Sequence, residues 1–260
     1  MATQKGHVRS VEKAVELLDC FWASGRPMSL TELVSATGWA KSTVHGLLAS
    51  MTDSAVVEQG QDGKYRLGYH LFELGSSASG AWNVVELAMP RMNELMQALG
   101  QSVYLARLCG EDLLLVAGSE PQTDFHISSQ VGSRIPLHCT SQGKCILANL
   151  PEARVKALLQ SKGMEACTPA TITGWKELKA QMELTRELGY AVERGEFHPG
   201  LQSVGAPVFD AGGNCCCAIG MVEFQNPAQP TIDRRTVELI RGAARGISQD
   251  LGWRRGTEIK

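Results

Sequence analysis

SLTELVSATGWAKSTVHGLLASM, residues 29–51, runs almost directly into VVEQGQDGKYRLG, residues 56–68. Together they decide what the front of this chain is. Ser29 followed by Glu32 reads as a capping box that opens a short helix. Leu30, Leu33 and Val34 face inward, and Gly38 closes the helix after barely two turns. A second helix follows from Ala40 to about Thr52. Val44, Leu47, Leu48 and Met51 fall on one side at helical spacing, leaving Ser42, Thr43, His45, Gly46, Ala49 and Ser50 on the other. Asp62-Gly63 then sits between two short β-prone runs, the signature of a hairpin. Helix, turn, helix, hairpin is the order of a winged DNA-binding module. The small hydroxyl face of the second helix suits a groove. Ser42, Thr43 and His45 are its candidate base contacts, and Lys41 sits where a helix start favours phosphate. Lys64 and Arg66 share one face of the hairpin and are candidate phosphate contacts.

Before this stretch, Val11, Val15, Leu18 and Trp22 recur at helical spacing, with Ala14, Leu17 and Phe21 widening the stripe. Ser10 is the expected cap. The module is expected over residues 1–68. After it, YHLFELGSSASGAW mixes helical spacing (Leu71, Leu74, Ala78) with Gly and Ser, and residues 69–83 read as a linker helix and hinge. A third segment, 84–260, alternates helices and strands, which predicts a largely antiparallel sheet flanked by helices. The chain is thus α+β, with two domains in 260 residues. Pro90 predicts a kink or a late helix start. The unbroken apolar run Leu113–Ala117 predicts a strand buried on both faces.

Charge offers no bulk footprint for DNA: the net charge is −2. The acid-free window between Glu32 and Asp53 leaves Lys41 and His45 unopposed, so DNA binding must rest on few contacts repeated by oligomerisation. No apolar run is long enough to span a bilayer and no secretory segment opens the chain, so a cytoplasmic protein is expected. The eight cysteines lack zinc-site spacing and read as free thiols.

A candidate ligand site lies where Leu137-His138-Cys139-Thr140 passes into a helix. Thr140 or Ser141 caps it, and the amides of Ser141, Gln142 and Gly143 point at whatever lies ahead. Such an end attracts a carboxylate or phosphate, and Gly143 would allow close backbone approach. His138 reads either as a site residue or as a hydrogen-bonded core residue.

The chain resembles the IclR (isocitrate-lyase-regulator) type of bacterial transcriptional regulator. The resemblance lies in VRSVEKAVELLD, SLTELVSATGWAKSTVHGLL and KYRLGYHLFELG, then GSRIPLHCTSQGKCILANL, TPATIT, LKAQMELTRELGYAVERGE and GLQSVGAPVFD, in family order over nearly the whole chain. It implies a winged helix-turn-helix, a linker helix and a GAF/PAS-like effector domain. It also implies dimers or tetramers on palindromic double-stranded operators, and a small-molecule effector. The segment holding His138, Thr140, Ser141, Gln142 and Gly143 would form one wall of the effector pocket. Glu193, Leu201, Ser203, Gly220 and Val222 would form others. Gly46 stands where the family usually carries arginine, and Glu193-Arg194 where it carries an acidic pair. Gly220 and Val222 stand where serines are common, so a medium-sized or aromatic carboxylate is expected rather than a two-carbon oxoacid. A repressor is the expected mode.

Two other classes compete. Thiol or metal sensing would draw on Cys139, Cys145 and the Cys215–Cys217 run, with His126, His138 and His198 as metal partners. Catalysis would need a nucleotide loop, nucleophile elbow or carboxylate pair, none of which appears; neither enzyme activity, cofactor nor metal is expected.

Overall fold

The computed structural model describes residues 8–77, 83–123, 126–226, 228 and 231–254. The chain divides into two compact units, one ending at Trp82 and one beginning at Asn83.

The first unit opens with α1 (Arg9–Ser24), whose cap position is Val8 and carries no side-chain bond; Ser10 lies inside the helix. Its buried face is also turned from the expected one. Leu17 and Phe21 enter the core, while Val11 and Val15 stay exposed. The reason is packing: α2 (Leu30–Thr37) and α3 (Lys41–Asp53) bring Leu33, Val44 and Leu48 against Leu17 and Phe21. Ser29 caps α2 in a complete capping box with Glu32, and Gly38 closes it in the left-handed region. β1 (Val57–Gln59) pairs antiparallel with β2 (Tyr65–Leu67) to make the wing. Met28 and Tyr65 exchange backbone hydrogen bonds, which ties the wing to the start of α2. α4 (His70–Ser77) follows. The expected linker residues Ala78, Ser79 and Gly80 lie outside the described residues, as do the side chains of Ser76 and Ser77.

The second unit is a three-layer sandwich. Six strands run β5 (Arg134–Ile135), β4 (Asp112–Ser119), β3 (Ser102–Cys109), β8 (Cys215–Phe224), β7 (Leu201–Phe209), β6 (Ala191–Arg194), every neighbour antiparallel. α5 (Asn83–Leu99) and α9 (Arg234–Asp250) cover one face, through Met92, Leu95, Ile240 and Ile247. α6 (Ser141–Ala148), α7 (Glu152–Lys162) and α8 (Trp175–Leu188) cover the other, through Ile146, Leu158, Leu178 and Met182. Side chains alternate along each strand: Val103 and Leu105 join the first layer, Tyr104 and Ala106 the second. In β4 a register shift opposite Leu105 and Ala106 breaks this alternation. Leu113 and Leu115 face α6–α8, while Val116 and Ala117 pack toward α5 and α9. That is why the run is apolar throughout. α5 runs through Pro90, which lies on its exposed side. α8 begins at Trp175, directly after Gly174.

Candidate functional site

On α3 the expected division holds. Val44, Leu48 and Met51 are buried, while Lys41, Ser42, His45, Gly46, Ala49 and Ser50 are exposed and Thr43 is half-buried. No acidic residue lies in its first turn. The wing turn is closed by a hydrogen bond from the Gly60 amide to the Lys64 carbonyl, and Asp62 Oδ1 accepts from the Lys64 amide. Lys64 is half-buried. Arg66 is exposed but not unopposed: its Nε and one terminal nitrogen both donate to Glu58 Oε2 at 3.1 Å across the hairpin. Reading alternation along one strand gave the face of Arg66 but not its carboxylate neighbour. Leu67 is 40% exposed.

In the second unit a cavity of about 70 Å³ opens between the sheet and the start of α6. Thr140, Gln142, Glu193, Leu201, Ser203 and Val222 line it, so six of the ten expected effector residues meet there. The other four sit behind it. Ser141 is fully buried, donates to Gln142 Oε1 and lies with its Oγ 2.9 Å from Ser203 Oγ. Gly143 serves a different close approach from the one expected. A Cβ there would lie 2.2 Å from the Leu137 carbonyl oxygen, and its amide is taken by Thr140 Oγ1 at 3.1 Å. Its backbone is closed off from a ligand. Gly220 lies under the Gln142 side chain, where a Cβ would come within 2.8 Å of Nε2. His138 is outside the lining; its Nε2 donates to the Glu165 carbonyl at 3.0 Å. Burial pushes its ring down from the usual histidine value, so it stays neutral there. This is its core-residue reading, not its site reading.

Sequence reasoning missed Tyr104, Leu115, Ile127, Ser129, Ile135, Phe197 and His198, which complete the lining. They come from β3, β4, the 127–135 stretch and the loop after β6, with no shared motif. Only Tyr104 left a signal, as the aromatic on the strand position that alternates with Leu105. Its hydroxyl donates to Glu120 and accepts from the Ser129 amide at 2.8 Å. Burial first, then Glu120, pushes the phenol up to about 12, so it remains a hydroxyl.

The electrostatics of the cavity are set by one acid. Glu193 is buried, accepting from the amides of Glu196 and Phe197 at one oxygen and from Ser203 Oγ at 3.1 Å at the other. Desolvation outweighs those donors and raises its carboxyl above the usual range. Among the described residues no Lys or Arg lines the cavity. Lys144, wholly buried, instead pairs with Glu196 and donates to the Val192 carbonyl at 3.4 Å. Arg194 is exposed on the opposite side of β6 from Glu193.

The thiols separate into groups. Cys145 and Cys217 are buried, and burial pushes the Cys145 thiol up to about 12. Cys139 lies apart from them, its Sγ 3.9 Å from that of Cys167. Among the described residues no three His, Cys, Asp or Glu side chains group to hold a metal ion, and no helix is long and apolar enough to cross a membrane.

Two family models match: the IclR helix-turn-helix domain over residues 10–61, and the bacterial transcriptional regulator IclR C-terminal domain over residues 77–249. The chain is 32% identical to the transcriptional repressor IclR of Escherichia coli, over 80% of this chain and 77% of that one. It is 31% identical to the acetate operon repressor of Salmonella typhimurium, over 90% and 85%. Among solved structures, an IclR homolog from Microbacterium hydrocarbonoxydans complexed with 4-hydroxybenzoate is similar with a TM-score of 0.82. It is 27% identical, with 93% of this chain and 98% of that one covered. The IclR of Thermotoga maritima gives 0.76 at 26% identity, covering 95% and 100%.

Proposed function

Because the chain belongs to the IclR family of bacterial transcriptional regulators, we propose that it is a repressor that a small, one-ring aromatic carboxylic acid releases from DNA. The observation that carries this is the cavity in which Thr140 and Gln142 of the α6 start meet the apolar wall of Leu115, Ile135, Leu201 and Val222. A flat ring fits that wall, and the hydroxyls and amide hold its polar groups. A solved relative of the same fold binds 4-hydroxybenzoate, which makes that compound the natural first probe. Glu193 is compatible with an acid ligand because its raised carboxyl takes up a proton readily and then donates.

In the first unit, α3 enters the major groove, with Ser42, Thr43 and His45 toward base edges and Lys41, Lys64 and Arg66 toward phosphates. The protein works as a homodimer or a dimer of dimers. Val8 at the start of α1, Val11 and Val15 on it, and Tyr69 and Leu74 around α4 leave apolar side chains in water in the same unit. A second copy is the simplest cover for them.

The test is a thermal-shift panel of aromatic acids on the full chain, followed by release of a footprinted promoter fragment. An acid that both raises the melting temperature and releases DNA is expected. Leu201→Trp, which fills the cavity, should remove both effects. Stabilisation only by sugars or cationic ligands overturns the reading.

A further inference from the structure

Cys139 and Cys167 are neighbours that no sequence pattern pairs; 28 residues separate them. Cys139 is buried, on the segment that leads into Thr140 and the cavity wall. Cys167 is exposed, on the loop between α7 and α8. That loop holds the opposite wall. Thr168 Oγ1 donates to the Gly195 carbonyl at 2.6 Å and Thr171 Oγ1 to the Glu196 carbonyl at 2.6 Å, fixing the segment that carries Phe197 and His198. His138 already ties the two sides through the Glu165 carbonyl.

We propose that Cys139 and Cys167 are a redox-modification site: a hydroperoxide converts them to a disulfide that staples the α6 wall of the cavity to the Phe197–His198 wall. The sulfurs stand 3.9 Å apart, so closing to a bond of about 2.05 Å takes less than 2 Å of movement. Cys167 sulfur attacks the hydroperoxide, breaking its O–O bond; the sulfur gains one oxygen as sulfenic acid and an alcohol, or water, leaves. Cys139 sulfur then attacks the Cys167 sulfur and expels that oxygen as water, taking the Cys139 proton with it. Two thiols lose two electrons and the hydroperoxide gains them. The order follows from access: burial holds the Cys139 thiol far above its usual value, so the exposed partner reacts first.

Disulfide formation is independent of which effector the cavity takes; only its consequence for binding rests on the reading above. The full-length protein is treated with hydrogen peroxide and mapped without reduction. A Cys139–Cys167 peptide, two fewer free thiols and reversal by dithiothreitol are expected. Amide exchange of residues 195–198 should slow at least tenfold, and the melting temperature should rise by about 5 °C or more. Cys167→Ser, at an exposed position, should keep the fold and lose all of these changes; Cys139→Ala should lose them independently. Oxidation of Cys167 to sulfinic acid without a link, or a link formed only among Cys215–Cys217, overturns the site. A Cys139–Cys167 link that leaves exchange at 195–198 unchanged overturns the staple. Because no effector enters these measurements, a failed acid panel leaves their outcome intact.

Discussion

Lys144 heads the side chains withdrawn completely from water, and among the described residues its ammonium meets Glu196 and the Val192 carbonyl. The second oxygen of Glu196 is buried with no hydrogen-bond partner. Breaking such a pair from one side strands a charge, so Lys144→Met should destabilise the fold by about 3–5 kcal/mol. Adding Glu196→Gln should recover much of that loss, as urea unfolding of the single and double variants will read. Glu193 makes a pH prediction of the opposite sign from an ordinary salt-bridged acid. Its carboxyl is raised in the fold, so the folded protein binds this proton more tightly than the unfolded chain. Folding is favoured below the unfolded value, and the advantage is lost as pH rises through the folded one. Glu193→Gln keeps the acceptor for the Glu196 and Phe197 amides without the charge. Its unfolding midpoint should exceed that of the parent at pH 8 and match it more closely at pH 5. By the same sign, an aromatic carboxylate bound beside Glu193 should bind more tightly as pH falls from 8 to 6.

Elements whose rules are local were legible in the sequence, and those set by neighbours were not. Ser29 and Glu32 announce α2 because both halves of the capping box lie within four residues. The face of α1 was misread because Val11 and Val15 on one side, and Leu17 and Phe21 on the other, make overlapping apolar stripes. Only contact with Leu33 and Leu48 chooses between them. Gly143 shows that room is needed, yet not that Leu137 takes it. Phe197 and His198 reach the cavity on a loop whose position depends on Thr168 and Thr171, far away in sequence. The recognition helix itself permits a clean test. Gly46 is exposed with nothing within 4 Å of where a Cβ would stand, so Gly46→Ala should stabilise by about 1 kcal/mol, read by urea unfolding. In the wing, Glu58→Gln should release Arg66 to phosphate and steepen log affinity against log salt by about 0.9. Lys64→Ala with Arg66→Ala should weaken all duplexes alike and flatten that slope.

For the molecule as a whole, the small number of cations on α3 and the wing has a consequence. With a net charge of −2, the chain has no bulk excess of cations, and on the reading proposed above two copies on two half-sites supply the specific affinity. Those half-sites must then present the same face of the duplex. Inserting five base pairs between the halves of a footprinted operator turns one of them to the far side, and binding should fall to the level of unrelated DNA. Inserting ten restores the face and should restore much of the affinity. A gel-shift series across these spacings reads it directly, and equal binding at both spacings would mean that single copies suffice. Such a pair also fixes how an acid acts. An effector that lowers operator affinity tenfold must itself bind tenfold more weakly to the DNA-bound protein. Titrating 4-hydroxybenzoate into free and operator-bound protein should return the same ratio as the operator titrations with and without it. Filling the cavity with Leu201→Trp should bring that ratio to one; a ratio that stays as in the parent would mean that the cavity beside Glu193 is not the one that governs release.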